Sequence, residues 1–530
     1  MKKSTHLLIA SILAGCITSC SSGKRIAQHR IVTNPMNLNY RFQPKDESRR
    51  EAADPVLEYF KGYYYLFASK SGGYWRSEDL AGWEYIPCTT IPTLEDYAPT
   101  ILPIGDTLYF TTSSGKTQIF KNAHPEKDTW EAVDTKLTYR LHDPAFYSDE
   151  DGKVYMYWGC SDKDPIMGVE VDPKDGFRAL GEAKALIAHH GDKYGWEVPG
   201  KNNEEPRQGW NEGPCMLKYE GRYYLQYAAP GTQYRIYGDG IYVGDTPLGP
   251  FEYVEDNPFS FKPGGFIGGA GHGHTFRDKY GNYWHVASMI ISVRHMFERR
   301  LGLFPVAVSS RNGIYAHTVW SDYPFYIPNR KVDFDKTDLS VGWNLLSYRK
   351  PVQASSSLAG YEPGNANDEQ IETWWAAQTG KKGEWLQVDL ETPMLVNSIH
   401  VNFADHHFKV FAPHPPVVYQ FFIEGSADGK KWMNLFDERE NGKDEPHRLF
   451  TLDKPVKVRY LRICNAKEMD GCFSLSGFRV FGKGEGAAPS KVTGFRAIRD
   501  SEDKRIFRFT WDAQKGATGY VLRWRSEEHT

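Results

Sequence analysis

A turn followed by an aromatic strand recurs five times in this chain, and that recurrence constrains the fold more than any other feature. It reads Lys61-Gly62-Tyr63-Tyr64-Tyr65, Gly105-Asp106-Thr107-Leu108-Tyr109, Asp151-Gly152-Lys153-Val154-Tyr155, Glu220-Gly221-Arg222-Tyr223-Tyr224 and Tyr280-Gly281-Asn282-Tyr283-Trp284. Before each unit lies a first strand, opening near Asp54, Ala98-Pro99, Asp143, Glu212 and Gly271-His272. The repeats are about 40 to 70 residues long. A single sheet of this size buries its faces only against its neighbours, so the pattern predicts a propeller, and five repeats predict five blades. Aromatic residues, 14% of the chain, suit both β structure and sugar-stacking surfaces.

In a propeller the innermost strand of each blade begins at the central funnel. Residues at those starts therefore converge although they are far apart in sequence. Asp54 lies in Ala53-Asp54-Pro55, Asp143 in His142-Asp143-Pro144, and Glu212 in Asn211-Glu212-Gly213-Pro214. Each is an acid before Pro or Gly-Pro and an apolar strand. Any one of them alone reads as turn chemistry. Three in equivalent settings, with His272 in a fourth, point to one pocket.

Residues 50–328 resemble glycoside hydrolase family 43. The resemblance rests on Asp54-Pro55, Ala98-Pro99-Thr100, Asp143-Pro144 with Phe146, Glu212-Gly213-Pro214 and Gly271-His272-Gly273. It implies inverting hydrolysis of O-glycosyl bonds, with Asp54 as general base, Glu212 as general acid and Asp143 as modulator of its pKa and orientation. It implies plant-type polysaccharides or their oligosaccharides as substrates, α-L-arabinofuranosides or β-xylosides first, with β-galactan as the alternative. A carbohydrate-binding protein without catalysis is the reading from another class. His272 is either close to substrate, water or a cation, or a hydrogen-bonded structural residue. Trp75, Tyr97 and Trp210 are the aromatic candidates for sugar contact. The run Arg294 to Arg300 either lends an arginine to the pocket or is a solvated strand end. No cofactor is required; a structural calcium is admitted in the channel or the C-terminal module.

Residues 340–483 form a second β unit, with Trp374-Trp375, Glu384 to Leu390, Phe421 to Ser426 and Arg459 to Ile463. It resembles the discoidin-like F5/8 type C jelly roll, a carbohydrate-binding module in many polysaccharide enzymes. That implies a carbohydrate ligand and a module separable from a funnel complete without it. Cys464 and Cys472 are candidates to pair across a loop. Residues 490–530 resemble the first half of a fibronectin type III sandwich, with Thr510-Trp511-Asp512 and Gly519-Tyr520-Val521. The expected class is therefore all-β: a five-bladed β-propeller, a β-sandwich jelly roll and a truncated fibronectin-like sandwich.

At the N-terminus, Lys2-Lys3 precede a short apolar run and then Ile17-Thr18-Ser19-Cys20. Residues 1–20 read as a lipoprotein signal peptide with Cys20 as the lipidated residue, Cys16 as the other lipobox, and simple secretion as the alternative. Residues 21–49 read as a tether. The expected place is the bacterial envelope, anchored to a membrane through lipid, with the periplasmic face favoured over the cell surface. A formal net charge of −3 offers no basic field for nucleic acid.

Overall fold

The hairpin turns explain how the blades begin. Lys61-Gly62 and Glu220-Gly221 hold positive φ at both central residues (47° and 91°, 48° and 80°). That is the turn whose twist matches the flanking strands, and its second place suits glycine. The computed structural model describes residues 30–45, 47–308, 313–318, 320–484, 490–499, 501, 507–515, 517 and 520.

Five antiparallel sheets follow one another along the chain. Blade 1 comprises Ala53–Phe60, Tyr63–Ser69, Gly73–Ser77 and Glu84–Pro87; blade 2 comprises Tyr97–Ile104, Thr107–Ser113, Phe120–Asn122 and Glu131–Ala132. Blade 3 is built on Ala145–Ser148, Val154–Trp158 and Ile166–Asp172. Blade 4 comprises Asn211–Tyr219, Arg222–Ala229, Gly238–Gly244 and Phe251–Tyr253, with Cys160–Ser161 paired to its first strand. Blade 5 comprises Gly268–Arg277, Tyr283–Ile290, Arg299–Val308 and Ile314–Ala316.

The period of two along each aromatic strand builds the ring. In blade 1, Tyr65 and Phe67 join a core with Ile101, Phe110 and Trp130 of blade 2. The alternate Tyr64, Leu66 and Ala68 join a core with Trp284, Val286 and Leu303 of blade 5. Blade 3 repeats this: Val154, Met156 and Trp158 pack toward blade 2, whereas Tyr155 and Tyr157 pack toward blade 4. A further core joins blades 4 and 5. The protein is all-β, with a five-bladed propeller followed by a β-sandwich.

The sandwich is an eight-stranded antiparallel sheet system whose long strands are Trp385–Phe403, His447–Asn465 and Ser474–Lys483. The boundary between it and the propeller is not modular. Residues 29–483 form one compact unit, and residues from Gly484 onward belong to another. Phe42, before blade 1, is buried in the core of the sandwich. Ile371 of the sandwich is buried in the core between blades 4 and 5. Arg479 is fully buried; its Nε and Nη2 donate to Glu369 at 2.8 Å, its Nη1 donates to the Asp322 carbonyl, and it lies over Phe266.

Two expectations are corrected here. Residues 30–45 are not a tether: Arg30–Val32 pairs with Phe325–Ile327, and Met36, Leu38, Tyr40 and Phe42 are buried. Their alternate spacing is the mark of an extended segment with one face in a core. Cys464 and Cys472 are free, buried thiols. Trp375 is a core residue of the sandwich, and Trp374 meets Arg294 of the loop before Arg299.

The unit from Gly484 holds, among its described residues, one hairpin of Arg496–Arg499 and Phe507–Thr510. It does not by itself amount to the expected sandwich. The signal peptide and Cys20 lie outside the described residues.

Candidate active site

Each inner strand opens on the same backbone irregularity. Asp54, Ala98, Asp143 and His272 all have positive φ, between 45° and 49°, and Gly213 takes this place in blade 4 at 58°. In blades 1, 2, 4 and 5 the ladder register shifts there as well. A left-handed residue with a Cβ costs about 1–2 kcal/mol. Four around one funnel are strain held by the surrounding structure, as at many functional sites.

What holds them is a set of clamps between neighbouring blades. The Ser69 hydroxyl, at the end of the second strand of blade 1, accepts from the Ala98 amide at 2.7 Å. Ser113, in the same place in blade 2, accepts from the Asp143 amide at 2.6 Å. Ser288 of blade 5 accepts from the Asp54 amide at 2.8 Å and closes the ring. Asp239 does the same for blade 5, taking the amides of His272 at 2.7 Å and Gly273 at 2.9 Å.

The clamps turn the expected residues into one site. Asp54 Oδ1 accepts from Arg299 Nη1 at 2.9 Å, and Oδ2 accepts from Ser69 Oγ at 2.6 Å. Arg299 Nη2 donates to Glu51 at 2.9 Å, so the guanidinium bridges the two carboxylates. Burial alone would push the Asp54 carboxyl up; Arg299, His272 and the serine hydroxyls outweigh it and hold it below the usual range. His272 Nδ1 lies 3.5 Å from Asp54 and 3.7 Å from Asp143. Burial disfavours its charge, but Asp54, Asp143 and Glu212 together raise its pKa.

Asp143 and Glu212 form the second centre. Glu212 Oε1 accepts the Tyr237 hydroxyl at 2.5 Å, and Oε2 accepts the Cys160 thiol at 3.2 Å. Burial pushes Asp143 up to about 7, and the neighbouring Glu212 and Asp54 charges add to this against His272. One ligand atom each from Asp143, Cys160 and Glu212 lie within 4.8 Å of one another. A thiol among them suits a soft cation rather than calcium, which takes oxygen ligands.

The aromatic candidates divide. Tyr97 is half-buried beside the site, with its ring 5.7 Å from Phe297 and under the Lys70 ammonium at 4.2 Å. Trp210 is 39% exposed, two residues before Glu212. Trp75 is a correction: at 1% exposure it sits in the core between blades 1 and 5 against Tyr85, because its place on its strand faces the neighbouring sheet.

Of the arginine run, Arg299 is the one that reaches the pocket. Tyr237, Cys160 and the serine clamps were not singled out from the sequence. The serines had a legible signal, since Ser69 and Ser113 end the aromatic strand of their repeats and Ser288 lies two residues before the end of its own.

Comparison with known proteins gives the families of the two domains. Residues 48–309 match the family described as Glycosyl hydrolases family 43, and residues 351–475 match the F5/8 type C domain. The chain is similar to a beta-D-galactofuranosidase of Aspergillus niger, 24% identical over 234 residues. That match covers 38% of this chain and 62% of the relative, so the chain spans less than two thirds of it. Among solved structures it is similar to one described as a glycoside hydrolase (20% identity, TM-score 0.48, 81% of this chain and 97% of that one). It is also similar to an endo-1,4-beta-xylanase from Bacteroides thetaiotaomicron (21% identity, TM-score 0.43, 51% and 96%). The propeller of this chain is a family 43 glycosyl hydrolase domain, and an F5/8 type C domain follows it.

Proposed function

We propose that the protein hydrolyses O-glycosyl bonds with inversion, with Asp54 as general base and Glu212 as general acid. The observation that carries this is the clamped ring of blade starts, which gathers Asp54, Asp143, Glu212 and His272. An ionised carboxylate is needed to activate water, and the Arg299 bridge keeps Asp54 in that state. A proton is needed at the leaving oxygen. Burial and the neighbouring Glu212 and Asp54 charges raise Asp143 to about 7, so Asp143 holds a proton near neutrality beside Glu212. His272, its pKa raised by these carboxylates, lies against Asp54 and Asp143 and bridges them.

The substrate class we favour is an α-L-arabinofuranoside or a β-xyloside of plant-type polysaccharide. The second reading is a β-D-galactofuranoside, on the name of the Aspergillus relative. Tyr97 and Trp210 are the aromatic groups we assign to sugar contact, and the F5/8 type C domain is read as carbohydrate-binding. Cys20 as a lipid anchor to the envelope stands as part of the same proposal; comparing the membrane fraction of wild type and Cys20→Ala tests it.

The test of the chemistry uses a panel of aryl pentosides and aryl galactofuranosides. Asp54→Asn and Glu212→Gln should each lose at least ~10²-fold in turnover while folded. An activated leaving group should partly restore Glu212→Gln but not Asp54→Asn. Near-wild-type turnover of an unactivated glycoside by Glu212→Gln would remove the assignment.

A further inference from the structure

Two short stretches of the propeller carry its catalytic carboxylate clamp on one side and the sandwich on the other. They are residues 49–51, just before blade 1, and residues 298–300, at the start of the strand Arg299–Val308. Neighbouring side chains on extended backbone point to opposite faces. Glu51 and Arg299 face the funnel, bonded to each other at 2.9 Å and, through Arg299, to Asp54 at 2.9 Å. Arg50 and Arg300 face the sandwich. Arg50 is fully buried; its Nε donates to Asp405 at 2.9 Å and its Nη1 to Asp444 at 2.7 Å. Arg300 Nε donates to His447 Nε2 at 2.8 Å, and its Nη1 donates to the carbonyls of Arg50 and Arg299 at 2.9 Å.

His447 can accept this bond because it is neutral. Burial and the adjacent Arg300 hold its pKa well below the usual value, and its Nδ1 lies 2.9 Å from Asn402 Oδ1, which takes the ring proton. A third tie is made by the loop before Arg299. Arg294 Nη1 donates to Glu298 at 2.7 Å, and its Nη2 donates to the Ala404 carbonyl of the sandwich. Three elements of the sandwich thus fix the backbone from which Arg299 reaches Asp54.

We infer that the F5/8 type C domain is part of the frame of the catalytic centre, with Asp405, Asp444 and His447 as positioning residues for the Arg299–Asp54 pair. They touch no substrate. They act through Arg50 and Arg300, which set where the Arg299 main chain lies. A hydrogen bond at 2.9 Å between buried charges weakens steeply with displacement and misalignment. When it weakens, burial is left less opposed and Asp54 takes up a proton at higher pH. The groups facing Asp54 are Arg299 with Glu51 behind it, His272, Asp143, Tyr237, Ser69 and Ser288, and none belongs to the sandwich. A change at His447 therefore reaches Asp54 only through this frame.

The inference rests on Asp54 as the general base, so its experiment has an arm that needs no activity. In the full chain, His447→Ala removes the acceptor of Arg300, and His447→Gln restores one. Expected for folded His447→Ala are a loss of at least tenfold in kcat/KM, an acidic limb of the pH profile moved up by half a unit or more, and recovery of both in His447→Gln. The second arm follows the Asp54 carboxyl by carbon NMR in protein labelled at aspartate carboxyls, assigned with Asp54→Asn. Its titration should move up in His447→Ala whether or not Asp54 is the base. A folded His447→Ala with an unmoved Asp54 titration overturns the inference. A moved titration with an unmoved pH–rate profile supports the frame and overturns Asp54 as the base. Should His447→Ala fail to fold, Arg294→Met, on the partly exposed loop of the same frame, is judged by the same titration.

Discussion

Ending the chain at residue 339 should leave a propeller that barely folds. The cut uncovers Phe42, which is 0% exposed in the core of the sandwich, and Phe266, which is 1% exposed beneath Arg479. Burying a side chain of this size is worth about 1.5–3 kcal/mol, so the two together lose about 3–6 kcal/mol. Arg50 and Arg300 also lose Asp405, Asp444 and His447, but both gain water, and no further loss is assigned to them. A whole domain is stable by about 5–15 kcal/mol, so this loss is a large share of it. The assay is urea unfolding of residues 30–483 and 30–339, followed by fluorescence and circular dichroism. With a slope of about 3 kcal/mol per molar, the midpoint should fall by about 1–2 M. The longer chain should unfold in one transition seen identically by both probes. An unchanged midpoint in 30–339, or two separate transitions in 30–483, would refute the shared-core reasoning and restore the modular reading of the sequence.

Two further predictions test individual residues. Trp75→Ala should cost about 3–5 kcal/mol, read as a lower melting temperature, with KM unchanged in the protein that remains folded; a raised KM at unchanged stability would return Trp75 to the substrate. Asp143 has a folded pKa of about 7 against 3.8 for an ordinary aspartate, so the folded state binds its proton more tightly. The stability from this proton is full below about pH 3.8 and is lost as pH rises through about 7. Asp143→Asn, which stays neutral, should therefore melt at wild-type temperature near pH 4 and above it at pH 8, while losing turnover; equal melting at both pH values would refute the raised pKa.

Local pattern was enough to read the ring. The period-two aromatic strands after Gly62, Gly152, Gly221 and Gly281 dictate sheets with two apolar faces, and such sheets can be covered only by their neighbours. The positions of Asp54, Asp143, Glu212 and His272 at the blade starts followed from that topology, because equivalent places in a closed ring must meet at its axis. The same reading missed the alternation of Met36, Leu38, Tyr40 and Phe42, a single apolar face too short to stand apart from a polar leader.

The direction of individual side chains belonged to the tertiary structure. Trp75 and Tyr97 are both aromatic residues at strand positions, yet one points into a neighbouring sheet and the other lies beside the pocket. Arg299 and Arg300 are adjacent and chemically identical, and only the packing of the sandwich against the propeller sends one to Asp54 and the other to His447. The physical reason is range. Hydrophobic period is a property of a short run of neighbouring residues, whereas the charge around Asp54 is set by groups up to 245 positions away. Which buried charges meet is decided when the ring closes and the sandwich packs against it.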